Sequence, residues 1–196
     1  MAAKREITRD DIMAFEDYEK VRTERRRQIT ELKKNRRVPV GPDATFYFES
    51  YDTMWHQVHE MLYIEKGGED QVPDELSAYN PLIPNGRELV ATLMFEIDDA
   101  ERRAAFLAGL GGVEETVTLG FSGETVRAEP EQDVDRTTAD GKASSIQFLH
   151  FPFTAQQVEK FRAPNAEVTL GIGHDKYGHM AVLSEDVRAA LAGDFD

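Results

Sequence analysis

The sequence predicts an α+β protein with a mainly antiparallel sheet of about six strands, packed helices and a long N-terminal helix. Alternating apolar stretches joined by tight turns are typical of hairpins. Helical segments occur between them without the regular strand–helix alternation of a parallel sheet. The chain has 196 residues, 40% of them hydrophobic, which suffices for one core. We therefore expect a single domain over residues 1–196, with a long charged helix over 8–37 and an α+β body over 38–196.

The N-terminal helix is expected to begin at Thr8, which forms an N-cap pattern with Asp11. Helix formers follow without Gly or Pro until Pro39. The apolar stripe of this segment is thin, because charged residues fill its middle. We therefore expect part of the helix to project from the body or to pack on a partner.

The middle of the chain is expected to form two strands with a helix between them. A short strand over 45–49 precedes a helix over 52–66 that has one apolar face. Residues 67–87 carry Gly, Pro and Asn and are predicted as a long ordered loop with one helical turn near Glu75. Residues 89–97 form the most apolar strand, and their near-continuous apolarity predicts burial on both faces.

The second half of the chain is expected to contain two hairpins, one further strand and three short helices. In order, these are a helix from Asp98 to Gly111, a hairpin over 117–128, a solvated loop over 129–143, a strand over 145–153, a helix from Thr154, a hairpin over 168–183 and a helix from Ser184.

Composition limits the chemistry that the chain can perform. It contains no cysteine, so it cannot itself supply a disulfide, a thiolate nucleophile or the ligands of an iron–sulfur cluster. Nucleotide-binding and hydrolase motifs are absent from the sequence. No stretch approaches the roughly 18 apolar residues of a membrane span. The first nine residues are polar and lack a signal core, so we expect a cytoplasmic protein without membrane contact.

Charge is unevenly distributed along the chain. The net charge is −14, whereas residues 1–37 alone carry +4 and the remainder carries −18. An acidic body repels nucleic acid, and no aromatic residues interleave with the basic run, so RNA association is the weaker hypothesis. We predict that the run contacts protein, either the chain's own acidic surface, a second copy or a partner. The predicted partner-binding residues are Arg22, Arg25, Arg26, Arg27, Lys33 and Lys34.

One candidate metal site consists of His56, His59 and Glu60. Side chains three and four residues apart are neighbours on a helix, and imidazole with carboxylate suits zinc, iron or manganese. Their order matches neither a zinc-protease helix nor a di-iron bundle. A solvated polar face explains the same residues, so no cofactor is specified and a metal ion stays open. His150 alternates with apolar residues on a strand and is expected at the edge of the core.

Acids within apolar sequence form a second candidate site. Glu65 falls within the apolar face of the second helix, and Glu96 lies in the most apolar strand. Buried carboxylates need partners, and they occur both in active sites and in structural ion pairs. Structural pairing is favoured. The alternative is a metal- or carboxylate-dependent enzyme that uses Glu60, Glu65 and Glu96 with Tyr79 and Asn80 from the loop.

Three stretches between residues 60 and 97 carry a resemblance. They are Glu60-Met61-Leu62-x-x-Glu65, Glu75-Leu76-x-x-Tyr79-Asn80-Pro81-Leu82-x-Pro84 and Glu88-Leu89-x-Ala91-Thr92-Leu93-x-x-Glu96-Ile97. In them the chain resembles an uncharacterised bacterial family, a domain of unknown function often encoded beside rubrerythrin and a cysteine-rich iron–sulfur oxidoreductase. The resemblance extends across the chain and implies a place in redox or peroxide defence. It assigns no catalytic residue.

Taken with the charge distribution, the resemblance favours a non-catalytic accessory or binding protein linked to redox partners. A protein partner or a second copy is expected to bind the N-terminal helix. A rubrerythrin or an iron–sulfur oxidoreductase is the partner that the resemblance implies.

Overall fold

A computed structural model describes residues 4–131 and 141–196, and over these the α+β prediction is confirmed. The helices are α1 (Phe15–Lys34), α2 (Tyr51–Glu65), α3 (Val72–Tyr79), α4 (Ala100–Leu107), α5 (Ala155–Arg162) and α6 (Glu185–Ala192). The strands are β1 (Arg37–Val40), β2 (Ala44–Phe48), β3 (Glu88–Phe95), β4 (Val117–Phe121), β5 (Glu124–Arg127), β6 (Glu129–Pro130), β7 (Ile146–Pro152), β8 (Val168–His174) and β9 (Tyr177–Val182). Short 3-10 helices span Arg9–Asp11, Gly68–Gln71, Asn80–Leu82 and Val113–Thr116.

The strands form two antiparallel sheets rather than one sheet of about six strands. The five-stranded sheet has the order β1-β2-β3-β7-β6, and the four-stranded sheet has the order β5-β4-β8-β9. The two predicted hairpins pair with each other through β4 and β8 and so make a sheet of their own. The additional strand β1 contains Pro39, which an edge strand tolerates because one side of it lacks a ladder partner.

The larger core lies between the two sheets, and β3 contributes to it along its whole length. Leu89, Ala91 and Leu93 of this strand are 0% exposed. Val90 points to the opposite face of the sheet, where it is 1% exposed and belongs to a second core. The prediction that this strand is buried on both faces is therefore confirmed at Val90, whereas Thr92 and Met94 on the same face are half-buried.

The second core joins the N-terminal residues to α2, α3 and the outer face of the five-stranded sheet. Its buried members are Ile7, Ile12, Met54, Val58, Val72, Leu82, Ile83 and Val90. The apolar face predicted for the second helix thus packs on the sheet, and residues 4–14 lie beside it. We call residues 4–14 the N-terminal strap.

The N-terminal helix is shorter than the predicted range 8–37. Thr8 and Asp11 do cap a helix, but it is a single 3-10 turn, and extended backbone follows before α1. At the other end, Arg37 already belongs to β1. The strap does not continue the α-helix of α1, because Ile7 and Ile12 are instead buried in the second core.

Residues 67–87 are more regular than the predicted loop. They contain α3 with a 3-10 helix on each side, so the expected single turn near Glu75 is a complete helix. Pro73 lies in the first turn of α3. A proline is tolerated there because the N–H groups of the first turn have no acceptor within the helix. Of the solvated loop expected over 129–143, residues 132–140 lie outside the described residues, and Glu129–Pro130 form β6.

Candidate functional site

The N-terminal strap is held against α2 and α3 through its backbone. The side chain of Asn80 accepts a hydrogen bond from Ile7 N at 2.8 Å and donates one to Ile7 O at 2.9 Å. Trp55 Nε1 donates to Asp11 O at 2.9 Å. The Tyr-Asn loop of the resemblance therefore serves to fix residue 7 in place.

His59 makes a further bond to the strap and is 2% exposed. Its Nε2 lies 3.0 Å from Met13 N, and its Nδ1 lies 2.7 Å from Trp55 O. A backbone N–H can only donate and a carbonyl can only accept, so Nδ1 carries the proton and Nε2 accepts. Burial lowers the pKa of His59, which agrees with this neutral form.

Glu60 is the acceptor at the junction of α1 and α2. It accepts hydrogen bonds from Tyr18 Oη and from Nε and Nη2 of Arg22, each at 2.8 Å. These bonds, chiefly those from Arg22, lower the pKa of Glu60. Burial and the neighbouring Glu60 raise the pKa of Tyr18. Tyr18 already donates to the carboxylate, so at 3.3 Å it is His56 Nδ1 that donates to the phenol oxygen.

The electrostatic surroundings of His56 are mainly cationic. Burial lowers its pKa first, Glu60 opposes that effect, and the charges of Lys33, Arg26 and Arg22 lower the pKa further. The neutral ring of His56 is therefore favoured beside the C-terminal half of α1.

Two of the three predicted metal ligands are fully engaged by protein groups, and the third, His56, is bonded through Nδ1 to Tyr18. Both nitrogens of His59 are bonded to backbone, and Glu60 is bonded to Tyr18 and Arg22. Within residues 4–131 and 141–196, no group of three or more His, Asp or Glu side chains is arranged to hold a metal ion. The polar face predicted to be solvated is instead covered by α1.

The predicted acid cluster is divided among separate partners. Glu65 is exposed and accepts from Gln71 Nε2 at 2.7 Å, next to Tyr79, whose pKa burial raises. Glu96 is also exposed and accepts from Tyr47 Oη at 2.6 Å. Hydrogen bonds from Tyr47 and then Thr45 lower the pKa of Glu96. Glu65 lies at the end of α2, and Glu96 follows the last residue of β3, so both carboxylates reach solvent although their sequence neighbours are apolar.

The basic run has an inward and an outward part. Arg22 pairs with Glu60 and lies over the Tyr63 ring at 4.3 Å, and Arg25 lies over the Trp55 ring at 5.1 Å. These two side chains contact the protein's own body, which was one of the predicted alternatives. Arg27 and Lys34 point outward. Arg26 and Lys33 lie at the edge of the face that carries Arg22, close enough to His56 to lower its pKa, and Lys33 is half-buried.

These four basic residues differ in their ion pairs. Arg27 pairs with Glu24 and Lys34 with Glu31, each one helical turn away on an exposed surface. In the part of the chain that the structure describes, neither Arg26 nor Lys33 pairs with a carboxylate. Exposed pairs of this kind contribute little to stability, so a partner's carboxylates could replace them.

A cleft of about 470 Å³ lies between the strap, the start of α1, the end of α2 and the start of α3. Its walls include Met13, Phe15, Leu62, Tyr63 and Val72. The rings of Phe15 and Tyr63 stack with centroids 5.1 Å apart and planes 7° apart. Sequence reasoning missed this cleft, because it depends on how residues 12–18 fold over α2.

Tyr18 is a residue of this region that helical periodicity could have indicated in advance. It lies one turn before Arg22 on α1, and it is 2% exposed. The four-residue spacing of a tyrosine and an arginine places both on one face, which indicates a helix side that packs on a polar surface.

A family model and a solved structure, both described as proteins of unknown function, match almost the whole chain. A family model described as "Protein of unknown function (DUF3501)" matches residues 6–195. A crystal structure of a novel protein of unknown function from Burkholderia pseudomallei K96243 is 38% identical, with a TM-score of 0.90. The match covers 97% of this chain and 99% of that one. No curated protein gives a significant match. Among the described residues no helix is long and apolar enough to cross a membrane.

Proposed function

The chain belongs to the DUF3501 family of proteins of unknown function, and we propose that it is a non-catalytic binding protein that docks an acidic protein partner through α1. The observation that carries the proposal is the pair Arg26 and Lys33. They lie seven residues apart on α1, so they share a helix face, and neither pairs with a carboxylate of the described residues.

Charge complementarity supports an acidic partner. The whole chain carries −14, so a locally basic helix face creates a strong contrast in surface potential. Such contrast steers encounter and suppresses wrong partners more than it raises affinity. The inward contacts of Arg22 and Arg25 hold α1 on the body, which leaves the docking face rigid before a partner arrives.

The resemblance to a family encoded beside rubrerythrin and a cysteine-rich iron–sulfur oxidoreductase suggests which partners to test. Both purified proteins are the first choices, and a link to redox or oxidative-stress chemistry is part of the proposal. The chain has no cysteine of its own, which suits an accessory role in such a system.

The test is a binding measurement with each purified partner at about 20 mM and about 300 mM salt, where screening differs strongly. The variant Arg26→Glu with Lys33→Glu is expected to lower the association rate at least about tenfold at low salt. The matched control Lys20→Glu with Lys176→Glu changes the net charge equally at exposed sites away from this face. An equal loss in both variants, or no binding of either partner by the unmodified protein, would overturn the proposal.

A further inference from the structure

The cleft beside the strap has the size and lining of a small-molecule site. Its volume of about 470 Å³ lies within the range of roughly 300–1,000 Å³ that such sites occupy. Met13 and Phe15 form one wall, and Leu62 and Val72 contribute to the others. These side chains favour an apolar group in the interior.

The polar atoms deep in the cleft are already bonded. His59 uses both ring nitrogens on backbone groups, and Tyr18 Oη donates to Glu60. A ligand atom that needed a hydrogen bond at this depth would therefore stay unpaired, which is unfavourable. The interior selects an apolar chain or ring.

The mouth of the cleft contains donors that fit an anion. Lys66 lines it, and no carboxylate of the described residues pairs with this ammonium group. Ala14, the N-cap of α1, offers no side-chain acceptor, so the first-turn N–H groups of Phe15 and Glu16 have no protein partner among these residues. Glu69, also at the mouth, is paired with Arg9.

We propose that the cleft binds a small carboxylic acid whose apolar part lies against Met13, Leu62 and Val72 and whose carboxylate meets Lys66. The N–H groups at the start of α1, which also lines the cleft, add to the attraction for an anion. The carboxylate of Glu16 is the remaining unpaired charge at the mouth, and it weakens binding. Neither Arg26 nor Lys33 lines this cleft, so the site does not depend on partner docking.

Octanoate, octanol and octylamine are matched probes with the same apolar chain and different head groups. Trp55 is the sole tryptophan and packs on His59 with ring centroids 3.8 Å apart, so its fluorescence reports on the cleft. We expect saturable binding of octanoate with a Kd below about 1 mM, and binding of octanol and octylamine at least fivefold weaker. Octanol or octylamine binding as tightly as octanoate, or no saturation in this range, would refute the proposal.

Variants at the mouth separate head-group recognition from general apolar binding. Lys66→Gln is expected to weaken octanoate binding about threefold to tenfold and to leave octanol binding unchanged. Glu16→Gln should strengthen octanoate binding, and Lys20→Gln is the control on the exposed side of α1. Because Lys66 is exposed, its replacement should leave the fold intact, which circular dichroism checks. Equal octanoate affinity in Lys66→Gln and the control would contradict the site.

Discussion

At the scale of single residues, the bonding partners of two histidines differ in kind. His59 bonds to a backbone N–H and a carbonyl, whereas His150 lies between two carboxylates, with Nδ1 3.1 Å from Glu88 and Nε2 3.0 Å from Glu131. Carboxylates accept only, so both nitrogens of His150 carry protons and its ring is charged. The hydrogen bond with Glu88 contributes most to the raised pKa of His150.

The free energy of unfolding should depend on His59 in acid. Its folded-state pKa lies below the ordinary value of 6.5, so the unfolded chain binds the proton first as the pH falls. The stability from His59 is therefore present above about pH 6.5 and declines below it. The charges of His56 and Arg25 also oppose protonation, and Glu60 favours it.

We expect His59→Gln to unfold about 1–3 kcal/mol more easily than the unmodified protein at pH 7, because the Trp55 contact and one hydrogen bond are lost. The difference should shrink between pH 7 and pH 5. Urea unfolding followed by circular dichroism at both pH values measures it. A difference that grows in acid would contradict the neutral assignment.

His150 should give the opposite dependence on pH. Its folded-state pKa is raised, so the stability it supplies is fully present below its unfolded value near 6.5 and is lost as the pH rises through the folded value. His150→Gln should therefore lower the free energy of unfolding by about 1 kcal/mol at pH 6 and by less at pH 9. Urea titrations of both proteins at the two pH values test this. A pH-independent difference would refute the charged ring.

Glu65 and Glu96, both acids within apolar sequence, show what sequence patterns omit at this scale. A helical wheel places Glu65 on the apolar side of α2, but it says nothing of where the sheet beneath the helix ends. The run of apolar residues in β3 likewise gives no sign that the strand ends at Phe95, one residue before Glu96. Both positions depend on tertiary contacts, and both side chains are exposed.

At the scale of elements, α2 is the helix on which both α1 and the N-terminal strap pack. Its apolar face was predicted from helical periodicity and packs as expected, but its polar face is covered by α1 and the strap. That covering could not be read from hydrophobicity, because the covering residues are Tyr18 and Arg22, which combine apolar stems or rings with polar tips. The strap and α3 were missed for a related reason, since their buried residues are few.

The two hydrogen bonds from the Asn80 side chain to the backbone of Ile7, which we call the Asn80 clamp, hold the strap in place. Their loss should therefore loosen the strap rather than unfold the whole protein. Asn80→Ala removes both hydrogen bonds to the backbone of Ile7 and leaves those buried groups unpaired, at a cost of about 1–3 kcal/mol. The strap should open more often and expose Arg5 and Arg9 to trypsin. We expect cleavage at these two residues to become at least about fivefold faster.

Mass spectrometry of timed digests identifies the cleavage sites. Asn35→Ala, at the C-terminal end of α1, is the control, because Asn35 is exposed and lies outside the strap. Equal strap cleavage in both variants, or uniform cleavage along the chain, would contradict the clamp.

At the scale of the whole molecule, three arginines gather residues 192–196 against distant parts of the chain. Arg5 donates to Asp194 O and Asp196, and Arg162 donates to the carbonyls of Ala192, Phe195 and Asp196. Arg36, in the turn directly before β1, makes a bidentate pair with Asp194 at 2.6 and 2.8 Å. Sequence patterns did not indicate these contacts, because the partners are far apart in the chain. Arg36 and Asp194, for example, are separated by 158 residues.

Removing one partner of the Arg36–Asp194 ion pair should lower the free energy of unfolding more than replacing both partners with uncharged residues. Its side chains are only 11% and 10% exposed, and Arg36 also donates to Glu49 O at 3.1 Å. Asp194→Ala leaves a buried guanidinium without its counter-charge, so we expect a loss of about 3–5 kcal/mol in the free energy of unfolding. Arg36→Met alone should also destabilise, since it leaves the carboxylate unpaired.

The double variant Arg36→Met with Asp194→Ala removes both charges together, and it should be more stable than the sum of the single losses by about 1–3 kcal/mol. Urea unfolding of the four proteins completes the cycle. Arg162→Met is a comparison, because Arg162 is exposed and reaches the same residues through carbonyls alone. Additive losses would mean that the pair acts as two independent groups. Coupling would mean that β1 and residues 192–196 are joined by the match of their charges, which ties the base of α1 to the body.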